Sequence, residues 1–347
     1  RVKETPLKSE LTQFQVSVEN TDVVFETGEG DTFLGSMLRA GIGVPYECNA
    51  GGCGSCKFTL VEGTVSEDLE ACAGLRQSDR RKNKHLACVT RAQSNCVISI
   101  KLDDAYIPQV LPTGKTANFI SRVSLTHDLW EFRFQTRDPA SFLPGQYAKL
   151  HIPGVSGPRS YSMANTANNN GLWIFQIKRV HDGEATTVLF NDDLEEKVFT
   201  IDAPYSIAHL DANSTNDVVC IAGGSGLAPM VSILCGVAEL HGKADRAVLY
   251  YGARSRNDVV DPNYFSSIPG FDPHTQYVPV LSEPEPGSDA SGPTGFIHEH
   301  LGVALPEDCS GLDFYLAGPP PMVDAVRRHL ILDRQIPIEQ LHYDRFF

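Results

Sequence analysis

Four cysteines of this chain stand at positions where their thiolates could hold a metal cluster. Cys48, Cys53 and Cys56 have the spacing C-x4-C-x2-C, and Cys88 follows further along the chain. A [2Fe–2S] cluster of the plant type uses this loop spacing and takes its fourth thiolate from a distant segment. Glycines lie between the loop cysteines, where they let backbone N–H groups approach a cluster freely. The four cysteines therefore predict a [2Fe–2S] site.

Other chemistries also use closely spaced cysteines. A zinc site typically has two cysteine pairs or matching histidines, and the sequence has no second short-spaced pair. Disulfides or buried thiols are the other common use. Cys72 and Cys96 are alternative fourth ligands. Cys88 is preferred because a strand predicted over residues 88–90 would return the chain to the loop, which leaves Cys72 and Cys96 as packing thiols.

Composition places the chain among ordinary globular proteins. Its 347 residues are enough for two or three domains. A net charge of −14 and a pI near 5.2 argue against nucleic acid and anionic membrane surfaces as partners. Nine cysteines without a signal peptide favour a reducing compartment, so we expect a cytoplasmic protein. The apolar stretch at 218–240 is broken by glycines and a proline, which predicts strand, turn and helix instead of a membrane span.

Three segments would position these residues. Alternating strands around a helix near 32–40 indicate a small α+β domain over residues 1–103, of the size of a ferredoxin. Residues 104–114 contain two prolines and a glycine and suit a linker. Short strands between turns over residues 115–212 favour an antiparallel β-barrel. Strands that alternate with helices over residues 213–347 are typical of a doubly wound parallel sheet.

Sequence motifs in the second and third segments carry a resemblance to a known family. In chain order they are Leu143-Pro-Gly-Gln-Tyr147, Arg159-Ser-Tyr-Ser162, Ala222-Gly-Gly-Ser-Gly-Leu-Ala-Pro229 and Gly318-Pro-Pro-Pro-Met322. With the cysteine loop before them, the chain resembles the ferredoxin-NADP reductase superfamily over nearly its whole length. Within it, the chain is similar to the reductase components of bacterial oxygenases for benzoate, toluene and xylene. The resemblance implies a multidomain α+β and α/β fold: a β-grasp ferredoxin domain, a flavin-binding β-barrel and a nucleotide-binding domain.

The resemblance implies roles for the residues of the flavin motif. It assigns a flavin phosphate to Arg159, the isoalloxazine face to Tyr161 and the hydride-accepting N5 to Ser162. These roles suit the bidentate guanidinium, the aromatic ring and the hydroxyl group. Ser160 and Lys178 are further expected cofactor contacts. Taken without the other motifs, this sequence is typical of an exposed strand end.

Two further turns of the barrel segment bear on flavin binding. Gly183 and Thr186 match the family's second phosphate-binding turn, where backbone N–H groups at a helix start receive a pyrophosphate. The family's Gly-Pro-Tyr-Gly turn is Ala203-Pro-Tyr-Ser206 here. Because both glycines are replaced, the geometry of this turn and a flavin contact by Tyr205 are open.

A glycine-rich turn follows a predicted strand and precedes a predicted helix, as a nucleotide-binding turn requires. It does not fit G-x-G-x-x-G, and without the other motifs it could be a tight turn with no ligand. The resemblance implies nicotinamide binding there, with Gly318 and Pro319 as the opposite wall. The family's cysteine at this place is Ala317, so we expect no thiol, acid or base in hydride transfer. The residues of the turn are Gly223, Gly224, Ser225 and Gly226.

Two further expectations concern the choice of nicotinamide nucleotide and the residue that covers the flavin. Arg254, in a segment with both basic and acidic residues, also occurs in related NADH enzymes, so we expect NADH rather than NADPH. An aromatic residue near the C-terminus of the family often covers the flavin, which implies a catalytic gating role for Phe347, or for Phe346, beside Ser162. Packing on the nucleotide domain is the alternative.

The resemblance implies an electron-transfer enzyme. NADH would reduce FAD, and FAD would reduce the [2Fe–2S] cluster, which would pass single electrons to the terminal oxygenase of a system for aromatic or related hydrocarbons. FAD is expected rather than FMN because relatives with an N-terminal cluster bind FAD. We expect a monomer that binds neither nucleic acid nor membrane. The alternatives are a reductase for a non-oxygenase acceptor such as a deoxysugar dehydratase, and a redox-sensing protein without turnover.

Overall fold

The computed structural model describes residues 13–28, 30–67, 72–191, 193–241, 247–284 and 292–346. The chain divides into two compact units, one that ends at Leu111 and one that begins at Pro112. A short 3-10 turn at Asp104–Tyr106 lies within the predicted linker. Among the described residues, no helix combines the length and the apolar character needed to cross a membrane.

The first unit is a mixed sheet with a helix against it. Its main sheet has the order β2-β1-β7-β3-β5, in which β1 and β7 are parallel and the other pairs antiparallel, while β4 and β6 pair separately. The buried side of α1 closes the core, and the Thr32 hydroxyl caps α1 by accepting from the Gly35 N–H. The elements are β1 Gln13–Val18, β2 Val24–Gly28, α1 Phe33–Arg39, β3 Lys57–Glu62, β4 Val65–Glu67, α2 Gln77–Arg80, β5 Lys84–Leu86, β6 Thr90–Ala92 and β7 Cys96–Ile100.

The second unit begins with an antiparallel barrel, as predicted. Its strand order is β11-β10-β13-β8-β9-β12, and a bridge between Met163 and Phe175 joins the two outer strands. Aromatic side chains fill the interior, among them Phe132, Phe134 and Trp173. The elements are β8 Thr113–Ser124, β9 Leu129–Thr136, β10 Tyr147–His151, β11 Arg159–Ser162, β12 Leu172–Lys178, α3 Glu184–Asn191 and β13 Val198–Tyr205.

The remainder of the second unit is a parallel sheet of order β16-β15-β14-β17-β18, which confirms the predicted doubly wound pattern. Alternate residues of its strands enter two apolar cores, one on each face. The elements are β14 Asp217–Gly223, α4 Leu227–His241, β15 Ala247–Ala253, α5 Pro262–Phe265, β16 Gln276–Leu281, α6 Ile297–Ala304, β17 Leu312–Gly318, α7 Pro320–Arg328 and β18 Leu341–Arg345.

The topology of this sheet creates a crevice. From β14 the chain proceeds to β15 and β16 on one side, and it then returns to place β17 and β18 on the other side. In open parallel sheets, ligands bind at such a switch point, beyond the carboxyl ends of the two strands between which the order reverses. Here those strands are β14 and β17, which end at Gly223 and Gly318.

Side-chain hydrogen bonds join the barrel to the parallel sheet. Ser232 on α4 donates to the Asn165 carbonyl over 2.7 Å. Gln176 on β12 donates to the Tyr264 hydroxyl over 3.0 Å, and Tyr264 donates to the buried Glu131 carboxylate. These bonds fix the barrel against the sheet. The predicted boundary between the two at residues 212 and 213 stays a prediction, because both lie in one compact unit.

Candidate functional site

Three of the four cysteines lie on the loop that leads from α1 into β3. The backbone N–H groups of Ala50 and Cys53 donate to Cys48 Sγ over 3.4 and 3.3 Å. The N–H of Ser55 donates to Cys53 Sγ over 3.5 Å. Backbone donors therefore converge on these sulfurs, and such donors stabilise a thiolate.

Cys88 lies in the turn between β5 and β6, so the strand predicted to begin at Cys88 was wrong. The strand begins at Thr90, whose hydroxyl donates to the Leu86 carbonyl over 2.8 Å and closes the turn. The Ala87 N–H donates to the Cys56 carbonyl over 3.0 Å. This bond holds the turn beside the loop and brings Cys88 to Cys56.

The four thiols interact with one another. The Cys48 thiol donates a hydrogen bond to Cys53. This bond is the main reason why the pKa of Cys48 is raised and the pKa of Cys53 is lowered to about 5. The Cys88 thiol donates to Cys56, which raises the pKa of Cys88 well above its usual value and lowers that of Cys56. Each pair thus shares a proton. Bound iron would supply the positive charge that lets all four ionise, so this donor set fits an iron–sulfur cluster.

The alternative fourth ligands have other interactions. Cys96 donates its S–H to the Ser94 carbonyl over 3.2 Å, and Cys72 Sγ lies 4.0 Å from a Glu67 carboxylate oxygen. Cys88, by contrast, shares its proton with a loop cysteine. The geometry therefore favours Cys88 as the fourth member of the set.

The flavin motif forms the edge strand β11. The Arg159 guanidinium contacts the Ser156 carbonyl over 2.8 Å and the Glu184 carboxylate over 3.1 Å. Glu184 is the first residue of α3, directly after Gly183. The two predicted phosphate-binding groups, Arg159 and the start of α3, therefore lie together, although they are far apart in sequence.

The other three motif residues of β11 differ in their exposure to solvent. Ser160 is exposed and Ser162 is buried. Tyr161 is half-buried against the barrel core, with its ring 6.5 Å from that of Phe175, and burial raises its pKa to about 12. Tyr161 therefore stays neutral at physiological pH and offers an aromatic face.

The second predicted phosphate turn is closed by its own side chain. The Thr186 hydroxyl donates to the Val180 carbonyl over 3.0 Å and accepts from the Val180 N–H over 3.3 Å. A Cβ added to Gly183 would lie 2.8 Å from Thr186 Oγ1, so this turn requires glycine. The Thr186 hydroxyl is thus used within the turn. A phosphate contact here depends on the backbone N–H groups in the first turn of α3.

The turn in which both family glycines are replaced has a defined structure. Tyr205 is buried, donates its hydroxyl to Asp202 over 2.7 Å and stacks on Tyr147 at 5.8 Å. Its side chain therefore faces the protein interior. Ser206 adopts a φ of +94°, a conformation that glycine favours, and its hydroxyl donates to the buried Asp344 carboxylate over 2.9 Å.

The glycine turn lies at the switch point. Gly223 ends β14, and a 3-10 turn at Gly224–Gly226 leads into α4. A Cβ added to Gly226 would overlap the Ala317 carbonyl, and one added to Gly223 would lie 2.5 Å from Met322 Sδ. Only glycine lets these two strand ends approach so closely.

The opposite wall and a lysine complete the crevice. Gly318 has a φ of +148°, and Pro319 precedes α7. From the barrel, Lys178 reaches the turn. Its Nζ would lie 3.9 Å from a Cβ added to Gly224, and it forms an ion pair with Asp128 Oδ2 over 3.1 Å. The end of β12 therefore meets the glycine turn. Ser225, between Gly224 and Gly226, is partly exposed.

A pocket of about 520 Å³ lies near the carboxyl ends of β15 and β16. In it, Arg254 forms an ion pair with the buried Asp258 over 3.2 Å. Sequence reasoning found only Arg254, because the burial of Asp258 in the same segment leaves no sequence signal and His127 and Glu283 come from two other segments. His127, Asp128 and Asp258 bring possible metal-ligand atoms together, but Lys178 and Arg254 already neutralise the two carboxylates. The lining residues are His127, Arg254, Ser255, Asn257, Asp258 and Glu283.

The C-terminal strand β18 ends at the crevice between β14 and β17. The Phe346 N–H donates to the Gly318 carbonyl over 3.0 Å, and the Phe346 side chain is partly buried against a core of the parallel sheet. Phe347, for which a gating role was predicted, lies outside the described residues.

Comparisons with known proteins match all three parts of the chain. The 2Fe-2S iron-sulfur cluster binding domain family matches residues 16–93, the oxidoreductase FAD-binding domain family residues 116–207, and the oxidoreductase NAD-binding domain family residues 220–328. These matches confirm the predicted cofactors.

Known full-length proteins are also similar to the chain. The ferredoxin–NAD(P)(+) reductase CarAd of Metapseudomonas resinovorans is 38% identical over 325 residues, which cover 92% of this chain and 96% of the relative. The xylene/toluene monooxygenase electron transfer component XylA of Pseudomonas putida is 30% identical over 336 residues, or 96% and 93% of the two chains. A solved structure, the ferredoxin reductase in carbazole 1,9a-dioxygenase, matches with a TM-score of 0.89, 34% identity and coverage of 98% and 100%.

The order of the three domains, the identities and the full-length coverage agree with the resemblance drawn from the motifs. The chain therefore belongs to the ferredoxin-NADP reductase superfamily, among the iron–sulfur flavoprotein reductase components of multicomponent oxygenases.

Proposed function

We propose that this chain delivers electrons from NADH to a terminal oxygenase that acts on aromatic or related hydrocarbons. The observation that carries the proposal is the order of three cofactor-binding domains on one chain, shared over nearly full length with electron-transfer components of carbazole and xylene/toluene systems. When bound, the flavin accepts a hydride and the cluster carries one electron at a time.

The cysteine set supports a role in holding the cluster. Cys48, Cys53, Cys56 and Cys88 are the proposed ligands, because their thiols converge and share protons. None of the nine cysteines, all of which lie among the described residues, forms a disulfide, which supports a reducing, cytoplasmic location.

The barrel residues support flavin binding. Arg159 and the start of α3 would hold the phosphates, since the ion pair of Arg159 with Glu184 places them together. A phosphate would compete with the Glu184 carboxylate for the guanidinium. Tyr161 would lie along the flavin ring, and the buried Ser162 would hydrogen-bond the ring nitrogen. Ser160, two residues before Ser162 on the same strand, is exposed.

The crevice between β14 and β17 supports nicotinamide nucleotide binding. The backbone of Gly223–Gly226 faces Gly318 and Pro319 across it, and Lys178 reaches the turn from the barrel. Arg254 and the pocket beside it would take the adenosine end. A terminal aromatic residue, Phe347 as predicted or Phe346 beside Gly318, would cover the flavin until nicotinamide displaces it.

The proposed client is a separate protein. The cluster loop, with exposed residues such as Ala50 and Ser55, would meet it. A monomer is the proposed working form, because an electron shuttle must expose its cluster loop to its partner.

Substitution of the fourth ligand tests the proposal. Cys88→Ser should remove the visible bands of the cluster and abolish NADH-dependent reduction of cytochrome c, while NADH-dependent reduction of ferricyanide by the flavin persists. Cys72→Ser is the matched control and should retain both activities. Retention of the cluster in Cys88→Ser together with its loss in Cys72→Ser would overturn the ligand assignment. Absence of cluster and flavin from the wild-type protein isolated anaerobically would overturn the function.

A further inference from the structure

The cysteine loop contains a buried side chain without a hydrogen-bond partner. Asn49 follows Cys48 directly and is only 5% exposed. Neither its Nδ2 nor its Oδ1 atom has a hydrogen-bond partner among the described residues. A buried amide left unpaired loses its hydrogen bonds to water without replacement, so native proteins rarely retain one without a reason.

Backbone conformation alone does not explain Asn49. Its φ of +48° is left-handed, a conformation that asparagine tolerates and glycine adopts freely. Two other asparagines of the first unit are also left-handed. Asn20 is exposed to solvent, and Asn83 donates its Nδ2 to the Leu60 carbonyl over 2.7 Å. Of these three, only Asn49 combines burial with an unpaired amide.

The surroundings of Asn49 indicate which partner the amide needs. The N–H groups of Ala50 and Cys53 both donate to Cys48 Sγ, so this part of the loop directs donors at a ligand sulfur. Asn49 lies between Cys48 and Ala50 in the sequence, and its Nδ2 group carries two further N–H donors. Thiolates and sulfides of an iron–sulfur cluster are acceptors, and therefore match the donor end of the amide.

We propose that the Asn49 side chain donates a hydrogen bond to a sulfur atom of the [2Fe–2S] cluster and thereby raises the reduction potential of the cluster. The inference rests on the proposed cluster site. A hydrogen bond to a cluster sulfur stabilises the more negative, reduced state, and such bonds are among the main determinants of cluster potential. Asn49 would then adjust how readily the cluster accepts electrons.

The test is a redox titration of the cluster in full-length protein, followed by electron paramagnetic resonance. Asn49→Gly keeps the left-handed backbone and removes the amide, and Asn49→Asp keeps the shape but replaces the donor by a charge. Asn49→Gly should disfavour reduction about tenfold, which is ~59 mV for a one-electron couple. Asn49→Asp should disfavour it further. Asn20→Gly, a matched change at an exposed left-handed asparagine, should leave the potential unchanged.

A second measurement needs no substitution at the loop. In wild-type protein with ¹⁵N in its asparagine side chains, pulsed electron paramagnetic resonance of the reduced cluster should detect a coupled side-chain nitrogen. Absence of that coupling would overturn the inference, as would a wild-type potential in Asn49→Gly with a full complement of cluster. If the wild-type protein carries no cluster, the proposed function fails instead, so the two failures are distinguishable.

Discussion

The cysteine loop at residues 48–56 and the glycine turn at residues 223–226 are both cofactor-binding candidates, yet they are built differently. In the loop, thiols share protons in pairs and the Asn49 amide has no partner among the described residues. In the turn, neighbouring backbone and side chains fill the space that a Cβ at Gly223 or Gly226 would need. The loop therefore needs its cofactor to satisfy its polar groups, whereas the turn is shaped before any ligand arrives.

The largest effect should come from disturbing the preformed turn. Gly226→Ala adds a Cβ that overlaps the Ala317 carbonyl, so β14 and β17 must separate at the crevice. We expect NADH-dependent flavin reduction in stopped flow to fall at least about 100-fold, since a misplacement of 1 Å can cost this much. The visible bands of the cluster should persist.

Gly252→Ala is the control for this change. Gly252 lies in β15, and an added Cβ would meet its nearest atom at 3.6 Å, an ordinary contact. The rate of NADH-dependent flavin reduction in Gly252→Ala should match that of the wild type. Equal rates in Gly226→Ala and the wild type would show that the close approach of the strand ends does not matter for nucleotide binding.

A smaller effect should distinguish the two regions when iron is removed. Anaerobic chelation leaves the loop's thiols and amide without the metal that satisfies them, and metal binding is coupled to local folding. We expect amide hydrogen exchange over residues 48–56 and 84–92 to accelerate about tenfold or more. A tenfold change corresponds to a loss of ~1.4 kcal/mol in the free energy of local opening. Exchange over residues 223–226 should not change. Acceleration of all three segments alike, or of none, would contradict the comparison.

The smallest expected effect concerns nucleotide choice. Arg254 neutralises Asp258, but Glu283 places an exposed carboxylate in the same pocket, where it would repel a 2′-phosphate. Glu283→Gln should raise the ratio of kcat/KM for NADPH over NADH about 1.4- to fivefold, because an exposed charge contact is worth ~0.2–1 kcal/mol. Glu307→Gln, at an exposed position outside the pocket lining, should not change the ratio. A wild-type preference for NADPH would contradict the expected use of NADH.

The sequence predicted the three-part architecture because each part has its own periodicity. The short strands between turns at 119–124, 129–134 and 172–178 became barrel strands, and the strand, turn and helix at 218–240 became β14, the glycine turn and α4. The strand expected at Cys88 failed because the turn that holds Cys88 is set by contacts with the loop, namely the bond from Ala87 to Cys56. Such a tertiary contact leaves no local sequence signal.

The site residues likewise divide into those that local sequence spacing identified and those that only the structure identified. Spacing identified the loop cysteines and the glycine turn, since both depend on short-range geometry. Sequence reasoning missed Asn49, Asp258 and Asp344, because their significance lies in burial or in partners distant along the chain. Thr186 was identified, but its hydroxyl is used within its own turn. An asparagine directly after a ligand cysteine is the sequence signal that could have pointed to Asn49, since asparagine tolerates a left-handed backbone.

The most direct test of the electron path is a spectrum of the anaerobic protein before and after one equivalent of NADH. We expect the flavin and the cluster bands both to bleach, because a bound flavin would accept the hydride of NADH and a bound cluster would accept an electron from it. Bleaching of the flavin band alone, or a spectrum without cluster bands after anaerobic isolation, would contradict it.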